Sequence, residues 1–171
     1  MTSENRHLVF VYGTLKNGEP NFQWLCNPHH GSAKFLGKVK TKKRWPLVIA
    51  SRYNVPYLLY CEEKGKNVIG EVYEVNDRML EKLDELENHP TYYERKQEDV
   101  CIIQSTSFEG TATAGDCLRV WMYFLKNYKP ELLNLPYHED YSSKGPHGLE
   151  YMERYRRTEG NMHYSDVQLY F

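Results

Sequence analysis

The chain has 171 residues, 40% hydrophobic and 26% charged, which fits one domain with its own core and excludes a disordered polymer. A net charge of −1 gives no overall attraction to nucleic acid or to an anionic membrane surface, and no apolar run approaches bilayer length. Four cysteines (Cys26, Cys61, Cys101, Cys117) form no C-x-x-C pair and no zinc-type spacing with histidine, so reduced thiols and a cytoplasmic protein are the default expectation.

Residues 1–7 are polar and lead into a short apolar stretch, Leu8-Val9-Phe10-Val11-Tyr12, too short and wrongly flanked for a signal peptide. That stretch is β-branched and aromatic and stops at Gly13, as a buried strand entering a tight turn does. Residues 32–40 read as a more exposed strand, and 46–50 and 57–61 as short apolar runs joined through Asn54 and Pro56. Residues 67–75 alternate, with Ile69, Tyr73 and Val75 on one face and Val68, Gly70 and Val72 on the other, the pattern of a half-buried strand. A helix follows, capped by Asn76 or Asp77, running to Glu87 and limited by Pro90. Residues 100–104 and 118–124 read as later strands. The Ser-, Thr- and Gly-rich segment 105–116 between them reads as a flexible surface loop. Residues 152–171 are polar and weakly patterned, and are expected to form a flexible tail behind a domain of residues 7–151. Short strands with one clear helix predict an α+β domain whose sheet curls toward a barrel. The 15 tyrosines suit either its core or a lined pocket.

On a helical wheel at about 100° per residue centred on Leu83, Met79, Leu80 and Leu86 fall within about 60°, and Glu87 about 40° away. Glu81 and Glu85 point to the opposite side. Burial and the negative end of the helix dipole would both raise the Glu87 pKa toward the range useful for proton exchange near neutral pH. The alternative is a frayed helix end at which Glu87 pairs with Lys or Arg. The second candidate is the Tyr12-Gly13-Thr14-Leu15 turn. A glycine at a strand end allows close approach to the backbone, and consecutive N–H groups there can hold an anion or an oxyanion. Its alternative is a plain turn.

Together these segments resemble the γ-glutamylamine cyclotransferases, within the wider γ-glutamylcyclotransferase (AIG2-like) superfamily. The matching residues are Phe10-Val11-Tyr12-Gly13-Thr14-Leu15-Lys16, Pro46-Leu47-Val48-Ile49, Asn54-Val55-Pro56-Tyr57-Leu58-Leu59, Gly70-Glu71-Val72-Tyr73, Met79-Leu80 with Leu83-Asp84 and Glu87, Tyr93 with Arg95, and Gly145-Pro146-His147-Gly148-Leu149. The resemblance implies a small mixed β-barrel with a few short helices. It implies conversion of a γ-glutamyl-amine such as γ-glutamyl-ε-lysine to 5-oxoproline and free amine, without metal or organic cofactor. It places the acid/base at Glu87, the substrate loop at Tyr12, Gly13, Thr14 and Leu15, and a pocket border at Val55. The expected partner is the small substrate alone, with no nucleic acid or membrane, and the expected state is a monomer.

Other features carry less. The basic stretch Lys38, Lys40, Lys42, Lys43 and Arg44 reads as a solvated strand edge, and His29-His30 as surface loop. His147 either borders the pocket or holds backbone in a turn. Asp84 reads as structural, and Tyr93 either shapes the pocket or packs in the core. The rival readings are a relative acting on γ-glutamyl-α-amino acids or glutathione, and a binding module of the same fold without turnover.

Overall fold

The computed structural model describes residues 5–105, 114–157 and 163–169. Among the described residues seven strands form: β1 (Arg6–Val11), β2 (Ala33–Thr41), β3 (Leu47–Ala50), β4 (Val55–Leu58), β5 (Ile69–Asn76), β6 (Tyr93–Ser105) and β7 (Cys117–Leu125). Helices are short: α1 (Gln23–Cys26), α2 (Asp77–Leu86) and α3 (Tyr164–Val167), with single 3-10 turns at Pro130–Asn134 and Arg154–Arg156. Five strands close into a barrel in the order β1-β5-β2-β6-β7. Its neighbours are antiparallel except at the seam, where Val9 of β1 meets Trp121 of β7 in parallel. Strands β3 and β4 form a separate hairpin, turned by Ser51 and Asn54 at positive φ.

One apolar cluster takes side chains from all five barrel strands, among them Phe10, Val39, Val72, Val100, Ile102 and Met122, and fills the interior. A second lies between the outer face of β1 and β5 and helix α2, through Val9, Val11, Tyr73, Val75, Met79 and Leu83. Strand β5 is therefore covered on both faces, where the alternation of 67–75 predicts a half-buried strand. The helix supplies the second cover. Gly70 is needed where the interior is tightest, since a Cβ there would lie 2.3 Å from the Phe10 ring and 2.5 Å from the Val11 carbonyl oxygen.

The structure departs from the sequence reading in three further places. Strand β6 begins at Tyr93, seven residues before the expected start at Val100. Its first half is polar, so hydrophobic patterning misses it, and continuous pairing with β7 from Tyr93–Leu125 to Cys101–Cys117 makes it a strand. That register sets Cys101 directly opposite Cys117 with Cα atoms 4.0 Å apart, and the two form a disulfide; the expectation of reduced thiols holds only for Cys26 and Cys61. The described parts of 152–171 pack against the body instead of standing free. Val167 is fully buried, Lys129 N–H donates to the Val167 carbonyl at 2.7 Å, and Arg52 grips the Asp166 carboxylate through Nε at 2.9 Å and Nη2 at 2.8 Å. A few anchors spaced along a polar stretch leave no periodic trace. Of the loop expected at 105–116, residues 106–113 lie outside the described residues. No helix among the described residues is long and apolar enough to cross a membrane.

Candidate active site

Helix α2 starts at Asn76, whose side-chain oxygen accepts from Met79 N–H at 3.0 Å, a cap of the expected kind. Met79 and Leu83 are fully buried, which fixes the rotation of the helix. Glu87 still belongs to it, donating its N–H to the Leu83 carbonyl at 2.9 Å, so its side chain leaves on the apolar side into a cavity. Burial pushes its carboxyl up to about 7, with nearby Asp84 adding to the rise and the charge of Arg154 opposing it. Both the protonated and the ionised form are therefore accessible near neutral pH. Asp84 is engaged elsewhere, accepting from Arg95 Nε at 2.8 Å and from Tyr123 Oη at 2.7 Å, and so ties α2 to β6 and β7.

The loop after β1 faces Glu87 across the same cavity. It closes through its carbonyls: Lys16 N–H donates to Gly13 O at 3.1 Å, and Asn21 N–H to Thr14 O at 2.8 Å. Among the described residues the amides of Gly13, Thr14 and Leu15 donate to no backbone or side-chain acceptor. Asn21 also clamps the loop, its amide reaching Thr14 Oγ1 at 2.9 Å and Tyr151 Oη at 3.0 Å. Gly13 sits against β4, where a Cβ would come within 2.9 Å of Pro56 Cγ. Neighbouring Val55 is half-buried at the cavity edge. The structure thus brings Tyr12, Gly13, Thr14, Leu15, Val55 and Glu87 around one cavity.

Six further tyrosines line the wall with Tyr12: Tyr57, Tyr92, Tyr93, Tyr123, Tyr151 and Tyr164. Tyr57 and Tyr92 share a hydrogen bond of 2.6 Å between hydroxyls, Tyr92 stacks on Tyr164 at 3.6 Å between ring centroids, and Tyr12 Oη donates to the Tyr123 carbonyl at 2.8 Å. Burial raises the pKa of Tyr12, Tyr57, Tyr92 and Tyr93 far above the ordinary phenol value, so they remain neutral hydrogen-bonding groups. Sequence reasoning missed Asn21, Tyr92, Tyr123, Tyr151, Arg154, Arg157, His163 and Tyr164 as cavity residues. The adjacent aromatic pair Tyr92-Tyr93 was a usable signal; the residues after 150 offered none.

Residues outside the cavity are also accounted for. The His147 ring bonds the Ser142 carbonyl at 2.7 Å and accepts from Leu149 N–H at 2.8 Å, so it holds backbone in a turn. His30 bonds the Trp24 carbonyl at 2.9 Å. Acidic partners meet the basic stretch, Lys40 with Glu139 at 3.2 Å and Lys43 with Glu62 and Glu98. Among the described residues no group of three or more His, Cys, Asp or Glu side chains could hold a metal ion.

A family model described as "Gamma-glutamyl cyclotransferase, AIG2-like" matches residues 9–143. The mouse protein named "Gamma-glutamylaminecyclotransferase" is 45% identical over 149 residues, 87% of this chain and 98% of its own length. The human protein of that name is 41% identical over 151 residues, 88% of this chain and 99% of its own. The crystal structure of a mouse AIG2-like protein superposes with a TM-score of 0.80 at 43% identity, covering 90% of this chain and 99% of that one. With a family match that spans most of the chain and places Glu87 and the 12–15 loop inside it, the protein belongs to the gamma-glutamyl cyclotransferase, AIG2-like family.

Proposed function

We propose that this protein is a γ-glutamylamine cyclotransferase, converting γ-glutamyl-ε-lysine or a related γ-glutamyl-amine to 5-oxoproline and the free amine. The observation that carries the reading is a half-buried carboxyl raised to near neutral pKa in the same cavity as a loop whose amides, among the described residues, meet no acceptor. The names of the mouse and human relatives support the same reaction.

The substrate's α-ammonium ion has no lone pair until it loses a proton, and ionised Glu87 accepts it. The freed amine attacks the γ-carbonyl carbon of the same molecule, forming the ring C–N bond. The amides of Gly13, Thr14 and Leu15 stabilise the negative charge on the carbonyl oxygen. As the bond to the departing amine breaks, Glu87 returns the proton to that nitrogen, and the ring nitrogen sheds its second proton, which the freed amine takes up, so no water and no second substrate is consumed. Proximity within one folded substrate supplies much of the rate, and proton transfer adds about 10²–10⁴-fold. The tyrosine wall excludes water while remaining uncharged. A monomer in the cytoplasm, with no nucleic-acid partner, completes the proposal; the acid-paired basic stretch supports the last point.

The test is 5-oxoproline release from γ-glutamyl-ε-lysine by the wild type and by Glu87→Gln, with glutathione alongside. Turnover of the isopeptide that drops about 10³-fold in a folded Glu87→Gln protein is the expected result. Preference for glutathione would move the substrate to the rival class, and a variant of near-normal rate would remove Glu87 from the mechanism.

A further inference from the structure

The family match ends at residue 143, yet Tyr151, Arg154, Arg157, His163 and Tyr164 line the same cavity as Glu87. This wall is built by chain that lies outside the family model. Its backbone is pinned: Tyr151 is buried, Met152 N–H donates to the Tyr53 carbonyl at 2.9 Å, and Arg157 Nε donates to the Met152 carbonyl at 3.1 Å. The Arg157 guanidinium also lies over the rings of Tyr53 and Tyr151, at 4.7 and 5.2 Å from their centroids. Arg157 is therefore occupied in holding the segment.

Arg154 is not. It follows Met152 by two residues, opens the turn Arg154–Arg156, and lines the cavity while remaining exposed to solvent. Among the described residues its guanidinium makes no hydrogen bond and no ion pair. Among the described residues Glu87 is the only carboxyl lining the cavity, and it is half-buried where Arg154 is exposed, so the reacting glutamyl unit sits on its sheltered side if the proposed reaction is right. A cation at the open side then faces the other half of the substrate, the departing amine.

We infer that Arg154 is a specificity residue that binds a carboxylate at the far end of the departing amine, so that among γ-glutamyl-amines this enzyme favours the ε-linked lysine conjugate over those of simple amines and diamines. The inference rests on the cyclotransferase reading above. In γ-glutamyl-ε-lysine the lysine carboxylate hangs at the far end of a methylene stem, beyond the bond that breaks, where an exposed guanidinium can take it in a forked pair of hydrogen bonds. The aromatic rings of Tyr92 and Tyr164, stacked on each other in the wall of the same cavity, offer the stem an apolar surface. A diamine presents only an ammonium group to the same cation, and the two repel.

Cadaverine is lysine without its carboxylate, so γ-glutamyl-ε-lysine and γ-glutamyl-cadaverine form the decisive pair. The ratio of their kcat/KM values cancels any effect of Arg154 on Glu87 ionisation, which is common to both. The wild type should favour the lysine conjugate by about three- to fivefold, within the range of one charge pair at an exposed site. Arg154→Gln should bring the ratio close to one, chiefly by raising KM for the lysine conjugate, and Arg154→Lys should restore part of it. Thermal unfolding checks that both variants are folded. An unchanged ratio in Arg154→Gln, even with a displaced pH profile, would overturn the inference and leave Arg154 as a modulator of Glu87. A wild type that turns over both conjugates equally would also overturn it. Absence of 5-oxoproline from both, in a folded wild type, would instead bring down the parent reading and the inference with it.

Discussion

The cavity is walled by two regions of different construction. The Glu87 side belongs to the barrel: helix α2 is capped by Asn76, packed through fully buried Met79 and Leu83, and tied by Asp84 to Arg95 and Tyr123. The Arg154 and Tyr164 side belongs to the C-terminal segment, which has one four-residue helix and a handful of attachments, among them the Arg52–Asp166 pair and buried Val167. A carboxyl whose reactivity depends on burial needs the rigid side, since a loosened wall would readmit water and lower its pKa. A group that selects among substrates tolerates the looser one. The difference teaches that the proposed proton transfer is built on the cooperative core, while selectivity sits on a locally held addition.

The largest effect should come from breaking the barrel side. Gly70→Ala pushes a methyl group into the Phe10 ring and the Val11 carbonyl, and backbone cannot rotate out of the way. We expect a loss of about 3 kcal/mol in urea unfolding, with the disturbance carried through β1 to the 12–15 loop. A loss well under 1 kcal/mol would show that the barrel is more plastic than its packing indicates.

A smaller effect, of opposite sign, should come from Glu87 itself. Its folded pKa of about 7 lies above the ordinary carboxylate value of 4.5, so the folded state binds the proton more tightly than the unfolded state. Stability from this group is full below the unfolded value and is lost as pH rises through about 7. Glu87→Gln should therefore stabilise the protein by about 2 kcal/mol at pH 8 and by almost nothing near pH 4, read from denaturation midpoints at the two pH values. The same titration makes kcat/KM rise with pH through about 7, since the base form is required. Equal stabilisation at both pH values would mean that the carboxyl is not held protonated by burial.

The smallest effect should come from the C-terminal side. Arg52 holds the Asp166 carboxyl down to about 2, largely by hydrogen bonding. This contribution is present above the ordinary aspartate value and fades as pH falls through about 2. The arginine is substantially exposed, so Arg52→Ala should cost little global stability. Hydrogen exchange should then speed up in 163–169 and leave the barrel unchanged, while KM rises more than kcat falls. Equal acceleration in both regions would join them into one cooperative unit.

Local patterning carried the elements whose stability is local. The order of strands, the Asn76 cap and the α2 stripe were legible because strand alternation and helical periodicity are properties of neighbouring residues. Glu87 stood out for the same reason: a helix of known period places residue 87 on the side of Leu83 whatever surrounds it. The Gly13 turn was legible as a place of close approach. What Gly13 approaches, Pro56 of β4, was not.

What the amino-acid sequence determined by itself was a β-rich domain with one amphipathic helix and a carboxyl on its apolar side. Tertiary structure decided the rest. The β6–β7 register made a strand of the polar residues after Tyr93 and joined Cys101 to Cys117. Closure of the barrel set the 12–15 loop opposite Glu87, and docking of the C-terminal segment supplied Arg154 and Tyr164. These depend on contacts between residues far apart in the chain, whose partners are chosen by register, burial and a few ion pairs. No window of neighbouring residues contains that information.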